Sequence, residues 1–320
     1  MRVDSRDRAI LFELDLSEAR SARDVAKRVG LSEDAVSYRL RRLQQAGVLR
    51  GFYTLINVSR LGYRAFRVYL KLEDISPRKE GQLVSSLARR PNFWWVCTLE
   101  GGPWDLGVQV WARNADEFRA LWEGAFRKYK RFVDEENLSI QTGIVHLRRS
   151  YLKGVDRRKK DSVSLEIGEP VSLDSFDWRL LRATAAHARM PLVQLAEKMG
   201  VTPMAVKYRL DKLGKAGVIE GVRPVLDLAK LGYRFYKVNF FLRDLSVIPE
   251  MRKWAEANPN VTHVYDYAGY SDIEFSFELE SDERLHELVN EVREKFSGKI
   301  KNAHSWRISE ERKIVYVPEA

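Results

Sequence analysis

Two segments of this 320-residue chain carry side chains that could bind the phosphates and base edges of double-stranded DNA. In the first segment they are Ser37, Tyr38, Arg41, Arg42 and Gln45, and in the second they are Lys207, Tyr208, Lys212 and Lys215. Arginine and lysine bind phosphates, and arginine, glutamine and serine also hydrogen-bond to bases in the major groove. We predict that these residues form two DNA-binding faces.

A solvated, charged helix face is the alternative interpretation of both segments. Glu33 and Asp34 favour it, because carboxylates beside phosphates weaken binding, whereas both residues stabilise a helix N-terminus. Asp211 lies in the middle of the second face. The second segment is still the more basic of the two, so we expect it to dominate any DNA affinity.

The charge balance favours a polyanionic partner. A net charge of +10 and a pI near 9.5 are typical of nucleic-acid-binding proteins. The one cysteine, Cys97, excludes an intramolecular disulfide and a cysteine-rich metal site, and it fits a reducing compartment. The sequence has neither an apolar run of about 18 residues nor a signal-peptide pattern, so we expect a cytoplasmic protein without membrane contact.

The sequence shows no catalytic signature. Its five histidines are scattered without metal-ligand spacing. No glycine-rich phosphate loop, dinucleotide-binding turn or nucleophile elbow occurs. We therefore predict no catalytic residue, no metal site and no cofactor, and we expect that the protein is not an enzyme.

The two DNA-binding segments belong to a duplicated unit. The stretch Tyr38–Val48 recurs at Tyr208–Val218, and Leu61–Arg64 recurs at Leu231–Arg234, both at an offset of 170 residues. A period of this length indicates two copies of a domain rather than the short repeats of a solenoid. The N-terminal unit is called copy 1 below, and the C-terminal unit copy 2.

The first third of each copy has the pattern of a winged helix-turn-helix. In copy 1, Asp4 and Ser32 are predicted helix N-caps, and Gly30 and Gly47 are predicted helix ends. The third helix then presents the DNA-binding face, with a size suited to the major groove. The segments 48–56 and 218–226 that follow the third helices are predicted to be small β-hairpins, the wings.

The remainder of each copy predicts strands and helices in the order βαββαβ. Phe66, Val68 and Leu70 alternate with polar residues, which is typical of a half-buried strand. The predicted fold class is therefore α+β, with two copies of a winged helix-turn-helix followed by a ferredoxin-like βαββαβ domain. Each ferredoxin-like sheet has one face without helices. We expect this face to be apolar and buried against a second copy.

Five consecutive segments follow from these patterns. They are a winged helix-turn-helix at 1–60, a ferredoxin-like sensor and dimerisation domain at 61–152, a basic linker at 153–172, a second winged helix-turn-helix at 173–230 and a second ferredoxin-like domain at 231–320. We expect the two ferredoxin-like domains to pair as an intramolecular pseudo-dimer or, between chains, as a homo-oligomer. Because the two recognition helices differ, the predicted DNA site is asymmetric.

These motifs resemble those of the Lrp/AsnC family of leucine- and asparagine-responsive regulators. The matching residues are the Asp-x-x-Asp helix start, the Leu-Ser-x-x-x-Val-x-x-Arg-Leu pattern from Leu31, the Leu-Gly-Tyr after the wing, and the Gly-x-x-Asp turns at 102–105 and 269–272. The resemblance implies a sequence-specific DNA-binding transcriptional regulator whose sheets pair. It also implies a small-molecule effector, often an amino acid, bound beside the Gly-x-x-Asp turn.

The resemblance makes Gly102, Asp105, Gly269 and Asp272 the candidate effector-binding residues. The alternative is purely structural, with the glycines allowing a tight turn and the aspartates capping it. The two copies differ strongly around these turns. At most one copy is therefore expected to keep an ancestral ligand site.

A second resemblance is to the siroheme decarboxylases, which share the two-domain layout and occur as fused pairs. The segment Thr262–Tyr267 is similar to their active-site segment that carries histidine and arginine. Trp95 stands at the matching position of copy 1, and the arginine after the tyrosine is absent. A siroheme decarboxylase-like enzyme of haem biosynthesis, and a DNA-silent metabolite-sensing or interaction protein, are therefore the alternative functions.

Overall fold

The computed structural model describes residues 3–16, 21–155, 157 and 161–318. Predictions that concern the other residues, including part of the basic run in the linker, lie outside the described residues. None of the described helices is long and apolar enough to cross a membrane.

Copy 1 begins with the predicted three helices. The elements are helices α1 (Ser5–Leu14), α2 (Ala22–Val29) and α3 (Glu33–Gln45) and strand β1 (Leu49–Ile56). Asp4 and Asp7 cap α1 reciprocally, because each carboxylate accepts from the backbone N–H of the other, at 2.8 and 3.1 Å. Gly30 ends α2 with a φ of 67°, a left-handed conformation that turns the chain into α3.

The ferredoxin-like part of copy 1 follows in the predicted order. Its elements are β2 (Arg64–Leu72), α4 (Pro77–Ala88), β3 (Phe93–Glu100), β4 (Leu106–Ala112), α5 (Ala115–Phe126) and β5 (Val133–Leu147). Alternate residues of the strands, such as Phe66 and Val108, pack against the two helices, since every second strand residue lies on the same face. This apolar layer covers the outer face of the sheet.

The segment between the copies, predicted as a basic linker at 153–172, also supplies a strand. Strand β6 (Ser162–Glu166) pairs antiparallel with β5, so the backbone groups at that end of β5 are satisfied. Arg157 donates to backbone carbonyls of Arg148, Ala255, Glu256, Asn258, Pro259 and Val261. Burial lowers the pKa of Arg157 to about 10.

Copy 2 repeats both parts, which confirms the predicted α+β fold with a tandem duplication. Its elements are α6 (Ser175–Ala185), α7 (Leu192–Met199), α8 (Pro203–Lys215), β7 (Ile219–Leu226), α9 (Leu228–Leu231), β8 (Arg234–Leu242), α10 (Ile248–Ala257), β9 (Val261–Gly269), β10 (Ile273–Leu279), α11 (Asp282–Lys295) and β11 (Ile300–Ile314). The additional short helix α9 precedes the Leu231–Arg234 motif.

The prediction of two β-hairpin wings is wrong. β1 and β7 are single strands, and they pair antiparallel with each other, with Tyr53 opposite Arg223. Neither segment contains the two-residue turn that a hairpin of this length needs. Each strand therefore satisfies its backbone hydrogen bonds across the copies, and the pair forms a two-stranded sheet that we call the wing sheet.

The ferredoxin-like sheets of the two copies join at their edges. The strand order is β2-β4-β3-β11-β8-β10-β9-β5-β6, and a further β2–β5 pairing closes all strands but β6 into a barrel. The two junctions between copies are β3–β11 and β5–β9, both antiparallel. The faces that carry no helix thus become the barrel interior, and the copies form a pseudo-dimer within one chain.

Glycines permit close backbone approach at both junctions. A Cβ atom at Gly102 would lie 2.6 Å from the carbonyl oxygen of Ser305 on β11. A Cβ atom at Gly269 would lie 2.6 Å from the carbonyl oxygen of Leu138 on β5, and the φ of Gly269 is 134°. Any larger residue would therefore push the two copies apart at these points.

We expect Gly102→Ala to lower the free energy of unfolding by about 1–3 kcal/mol, because the added methyl group meets backbone atoms that cannot move independently. Urea unfolding of the full chain measures this. The matched control is Gly124→Ala within α5, where a Cβ meets nothing within 4 Å. The control should be stabilised by about 0.5–1 kcal/mol. Equal stability of Gly102→Ala and the wild type would contradict the junction role.

Candidate functional site

The predicted DNA-binding residues lie mainly on exposed faces of α3 and α8. Tyr38 and Tyr208 are 60% and 67% exposed, a high value for aromatic side chains. The side chains of Arg41, Gln45, Lys207 and Lys215 are also exposed, and Ser37 is half-buried. These faces are free to approach a groove, and the DNA contacts themselves stay a prediction.

In copy 1, two arginines of α3 hold that helix against α1. Arg39 Nη1 lies 2.8 Å from the carboxylates of Asp4 and Asp7. Arg42, a predicted DNA contact, donates through Nη2 to Asp7 at 2.5 Å. The hydrogen bond from Arg39 is the main reason why the pKa of Asp4 is lowered. Arg42 therefore has a structural partner, whereas Arg41 has no carboxylate within 4 Å among the described residues.

Copy 2 repeats this clamp with looser contacts. Arg209 Nη1 lies 2.6 Å from Asp174 and 3.0 Å from Asp177. Lys212, at the position of Arg42, is 3.8 Å from Asp177. Lys207 pairs with Asp211 one turn along the exposed face, at 2.7 Å. Because such exposed pairs contribute little, Lys207 can exchange its partner for a phosphate at small cost.

The barrel interior contains a buried charge cluster that sequence reasoning missed. Glu274 on β10 is inaccessible to solvent, and its carboxylate accepts from Arg67 at 2.5 Å and from Lys237 at 2.6 Å. Tyr69 and Asn239 donate to its second oxygen at 2.8 and 2.9 Å. The cluster joins β2 of copy 1 to β8 and β10 of copy 2. The expectation of an apolar helix-free face is therefore wrong.

The cluster contains more positive than negative charge. Burial by itself raises the pKa of Glu274, but the nearby Arg67 and Lys237 outweigh it and lower that pKa from its usual 4.5 to about 2. Burial and the neighbouring Arg67 lower the pKa of Lys237 to about 8. Two cations thus share one carboxylate. An additional anion near Lys237 would therefore be stabilised electrostatically.

Aromatic rings complete the surroundings of the buried guanidinium. The Cζ atom of Arg67 lies 4.6 to 5.7 Å from the ring centres of Tyr69, Trp95, Tyr265 and Tyr267. Such cation–π contacts replace part of the hydration that the cation loses. Oriented with its amide oxygen toward Arg67, which satisfies both groups, Gln109 would accept from Nε and Nη2 of Arg67 at 2.6 and 2.5 Å.

A second buried cluster connects the winged helices to the barrel. Asp15, at the end of α1, accepts from Arg223 of β7 at 2.9 Å and from the backbone N–H of Arg149 at 2.8 Å. Arg149 also donates to Glu278 of β10 at 2.9 Å. Burial raises the pKa of Asp15, but Arg223 and Arg149 prevail and lower it to about 2. The wing sheet therefore cannot shift over the barrel without disturbing buried ion pairs.

Two histidines lie beside this cluster. The rings of His146 and His263 are 5.0 Å apart, and burial, together with the nearby Arg223, lowers the pKa of both well below 6.5. Both are therefore neutral at pH 7. His263 Nε2 lies 2.9 Å from a guanidinium nitrogen of Arg223, whereas Nδ1 of His146 has no hydrogen-bond partner among the residues that the structure describes.

A cavity of about 690 Å³ lies between the wing sheet and the mouth of the barrel. Tyr53 of β1 and Val225 of β7 form its wing side. Trp95 and Lys237 lie on the barrel side, and Tyr316, which follows β11, contributes to the wall. The two copies and the C-terminal segment thus enclose one shared cavity. Within the described residues, no group of three or more His, Cys, Asp or Glu could hold a metal ion.

The four predicted effector residues lie elsewhere. Asp105 accepts from the backbone N–H of Leu72, and Asp272 from that of Leu242, both at 2.7 Å, so each carboxylate caps the end of a strand. Gly102 and Gly269 lie at the junctions between copies. None of these four described residues lines the 690 Å³ cavity. Their contact with an effector stays a prediction.

The sequence did contain a signal for the buried cluster. Arg67 and Lys237 are related by the repeat offset of 170, and each alternates with apolar residues in a predicted strand. Both side chains therefore had to lie on the helix-free face. The acid between them left no such signal, because Glu274 occurs in copy 2 alone.

Comparison with known proteins identifies the helical segments. A winged helix-turn-helix DNA-binding family model matches residues 3–50 and 173–220, which contain α1 to α3 and α6 to α8. An uncharacterised HTH-type transcriptional regulator of Pyrococcus abyssi is 33% identical over 117 residues, which are 37% of this chain and 72% of that protein. The regulatory protein AsnC of Haemophilus influenzae is 36% identical over 62 residues, 19% of this chain and 41% of that protein. The chain thus spans less than half the length of that AsnC.

The tandem arrangement as a whole is similar to that of a solved structure. The crystal structure of the siroheme decarboxylase NirDL matches with a TM-score of 0.66 at 13% sequence identity. The match covers 98% of this chain and 94% of that chain. An identity this low establishes a common fold, including both copies, and nothing about activity.

We expect Glu274→Gln to lower the free energy of unfolding by about 3–5 kcal/mol at pH 7, because Arg67 and Lys237 would be left buried without a carboxylate. Urea unfolding measures the loss. Glu256→Gln, an exposed glutamate of α10, is the matched control and should change stability little.

The pH dependence tests the same cluster. The folded-state pKa of Glu274, about 2, lies below its usual 4.5, so its stabilisation is present above pH 4.5 and is lost as the pH falls toward 2. The difference in unfolding free energy between wild type and Glu274→Gln should therefore shrink over this range. A difference that stays constant from pH 5 to pH 2.5 would contradict the assignment.

Proposed function

Because this chain belongs to the Lrp/AsnC family, we propose that it is a sequence-specific DNA-binding transcriptional regulator that carries both of its DNA-reading helices on one chain. The observation that carries the proposal is the duplicated winged helix-turn-helix, whose third helices α3 and α8 expose polar, basic faces. The net charge of +10 favours the same polyanionic partner.

The two reading helices support an asymmetric DNA site. α3 exposes Arg41 and Gln45, whereas α8 exposes Lys207 and Lys215. Arginine and glutamine can make paired hydrogen bonds to guanine and adenine, and lysine binds mainly as a point charge. We propose that α8 supplies much of the phosphate affinity and that α3 supplies more of the base discrimination.

We also propose that a small-molecule effector modulates DNA binding. The wing sheet forms one wall of the 690 Å³ cavity and lies next to both winged helix-turn-helix units. A ligand that contacts the wing sheet and the barrel together can favour one relative placement of the reading helices. An amino acid at the Gly-x-x-Asp turns is the other effector arrangement, implied by the family resemblance.

A siroheme decarboxylase-like enzyme is the second candidate function. The observation that favours it is the fold match to NirDL along nearly the whole chain. The cavity lined by His146 and His263 could supply neutral imidazoles to an acid–base step. Against it, Trp95 replaces a histidine at the matching position of copy 1.

Adding sirohaem to the purified chain tests the enzyme candidate directly. An altered tetrapyrrole absorbance followed by release of carbon dioxide would establish the enzyme and overturn the regulator as the primary function. Unchanged sirohaem, with specific DNA fragments recovered in a footprinting selection, is the result that the regulator proposal predicts.

We expect Lys207→Ala combined with Lys215→Ala to weaken DNA binding at all sequences and to make its salt dependence shallower. Each lost phosphate contact should reduce the slope of log K against log salt by about 0.9. Fluorescence anisotropy of labelled duplexes at several salt concentrations measures both quantities. Lys212 is left intact because of its contact with Asp177.

The control variant is Lys253→Ala on α10, an exposed lysine remote from α8 in sequence and outside both winged units. It removes a similar charge and should leave the slope nearly unchanged. An identical slope for the wild type and the α8 double variant would exclude α8 as a phosphate-binding helix. Absence of any salt-dependent binding in the wild type would support the DNA-silent alternative.

A further inference from the structure

A groove between helices α4 and α5 of copy 1 concentrates positive charge outside both winged units. Its volume is about 890 Å³, and none of its lining residues also lines the cavity of about 690 Å³. The described residues that line it include no aspartate or glutamate, and five of them are basic. These five are Arg78, Arg89, Arg90, Arg127 and Lys128. We call this groove the α4–α5 groove.

Four of the five cations are exposed and lack an acidic partner. In the described part of the chain, no carboxylate lies within 4 Å of the side-chain nitrogens of Arg78, Arg89, Arg127 or Lys128. By contrast Arg119, which is also exposed on α5 but lies outside the groove, pairs with Glu123 at 3.6 Å. Like charges gathered in one groove repel each other, so a bound anion would be stabilised there.

Helix stability does not explain the whole cluster. Arg89 and Arg127 are the C-caps of α4 and α5, where a positive charge interacts favourably with the helix dipole. Arg78, however, lies in the first turn of α4, where the same dipole disfavours a cation. The cluster thus contains a charge that works against the helix that carries it.

Copy 2 forms the equivalent two helices without this cluster. When the N-caps of α5 and α11 are aligned, copy 2 has Glu294 at the position of Arg127 and Glu291 at the position of Gly124. The C-cap of α10 is an asparagine, whereas that of α4 is an arginine. The ferredoxin-like fold therefore does not require these cations.

Two glycines keep the α4–α5 groove open. Gly81 and Gly124 lie inside α4 and α5, where glycine destabilises a helix relative to alanine. A Cβ atom at either position would meet nothing within 4 Å, so protein packing does not require a glycine there. Both residues line the groove. The missing side chains leave room for a ligand to approach the backbone of both helices.

Arg90 connects the two helices and keeps one donor unused. Its Nη2 donates to the backbone carbonyl of Gly124 at 2.6 Å, which links the end of α4 to α5. The Nε atom of the same guanidinium is buried and has no hydrogen-bond partner among the described residues. Buried polar groups are normally satisfied. An oxygen atom of a ligand in the groove can supply the missing acceptor.

We propose that the α4–α5 groove binds a small molecule that carries a chain of phosphate groups. Guanidinium groups match phosphate oxygens in paired hydrogen bonds. Arg78 and Arg89 are three helical turns apart on one face of α4, a distance of about 16 Å along the axis. Gln82 and Ser85 line the groove between them with further donors. A chain of phosphates can contact both ends of this face, whereas a single phosphate leaves most of the cations unpaired.

The binding of inorganic tripolyphosphate to the full chain tests the proposal, which does not rest on the proposed function. Isothermal titration calorimetry compares tripolyphosphate with orthophosphate and with citrate, a carboxylate anion. We expect one tight tripolyphosphate site per chain, with an affinity at least about tenfold higher than for either other anion, because only tripolyphosphate has several phosphate groups in a row.

Variants of the groove locate the bound anion. Arg89→Gln combined with Arg127→Gln removes two exposed cations and should weaken tripolyphosphate binding about tenfold or more. Gly124→Glu introduces the carboxylate that copy 2 has at this position. It should also weaken binding without lowering the free energy of unfolding, because glutamate favours a helix more than glycine does. The matched control, Arg119→Gln combined with Arg284→Gln, removes the same charge from exposed helix positions outside the groove and should bind as the wild type does.

Three results would overturn the site: no tight binding of tripolyphosphate, equal affinity for citrate, or unchanged affinity in both groove variants. A DNA titration distinguishes a small ligand from the DNA backbone. We expect unchanged duplex affinity in Arg89→Gln combined with Arg127→Gln. A loss as large as that of the α8 double variant would make the groove a DNA contact and overturn the small-molecule ligand. A wild type that binds tripolyphosphate but no DNA would overturn the regulator and leave the groove site in place.

Discussion

The unpaired sheet edges of the two ferredoxin-like domains determine the architecture of the whole molecule. Strand edges carry backbone N–H and C=O groups that need partners, and exposed edges promote aggregation. Pairing β3 with β11 and β5 with β9 satisfies the edges of both copies at once and closes a barrel. The closed barrel places the β1 and β7 segments side by side, so they pair with each other and not with themselves. The winged units are therefore parts of one assembly.

Closure also explains why the copies had to diverge in the barrel interior. The helix-free faces become enclosed, so every charge on them must find a partner inside. Glu274 lies opposite Asn239 on β8, and the equivalent place opposite Tyr69 on β2 is occupied by Gly107. A barrel made of two copy 1 sheets would bury two arginines with no carboxylate between them. The cluster therefore favours pairing of copy 1 with copy 2 in the same chain.

The same enclosed region links the candidate ligand cavity to the DNA-reading helices. Asp15 at the end of α1 and Arg223 of the wing sheet are tied to the barrel through buried ion pairs. The predicted DNA-binding faces of α3 and α8 are exposed to solvent, whereas the cavity side contains several buried ion pairs. Movement of the winged helix-turn-helix units relative to the barrel must rearrange these buried contacts. We therefore expect α3 and α8 to adopt a few discrete positions relative to the barrel and not a continuous range of orientations.

The sequence by itself determined the duplication, because the repeat can be seen by comparing residues 170 positions apart. It also determined the helix caps, the glycine ends, the strand order and the exposed basic faces, because each of these depends on near neighbours along the chain. Contacts across the copies could not be predicted in this way. The wing strands pair over 170 residues, Glu274 has its cation partner Arg67 at a distance of 207 residues, and Asp15 meets Arg223 over 208 residues. The cavity exists only because these distant segments enclose it. Local periodicity assigns a residue to a face, but tertiary closure decides whether that face meets solvent, a core or a ligand.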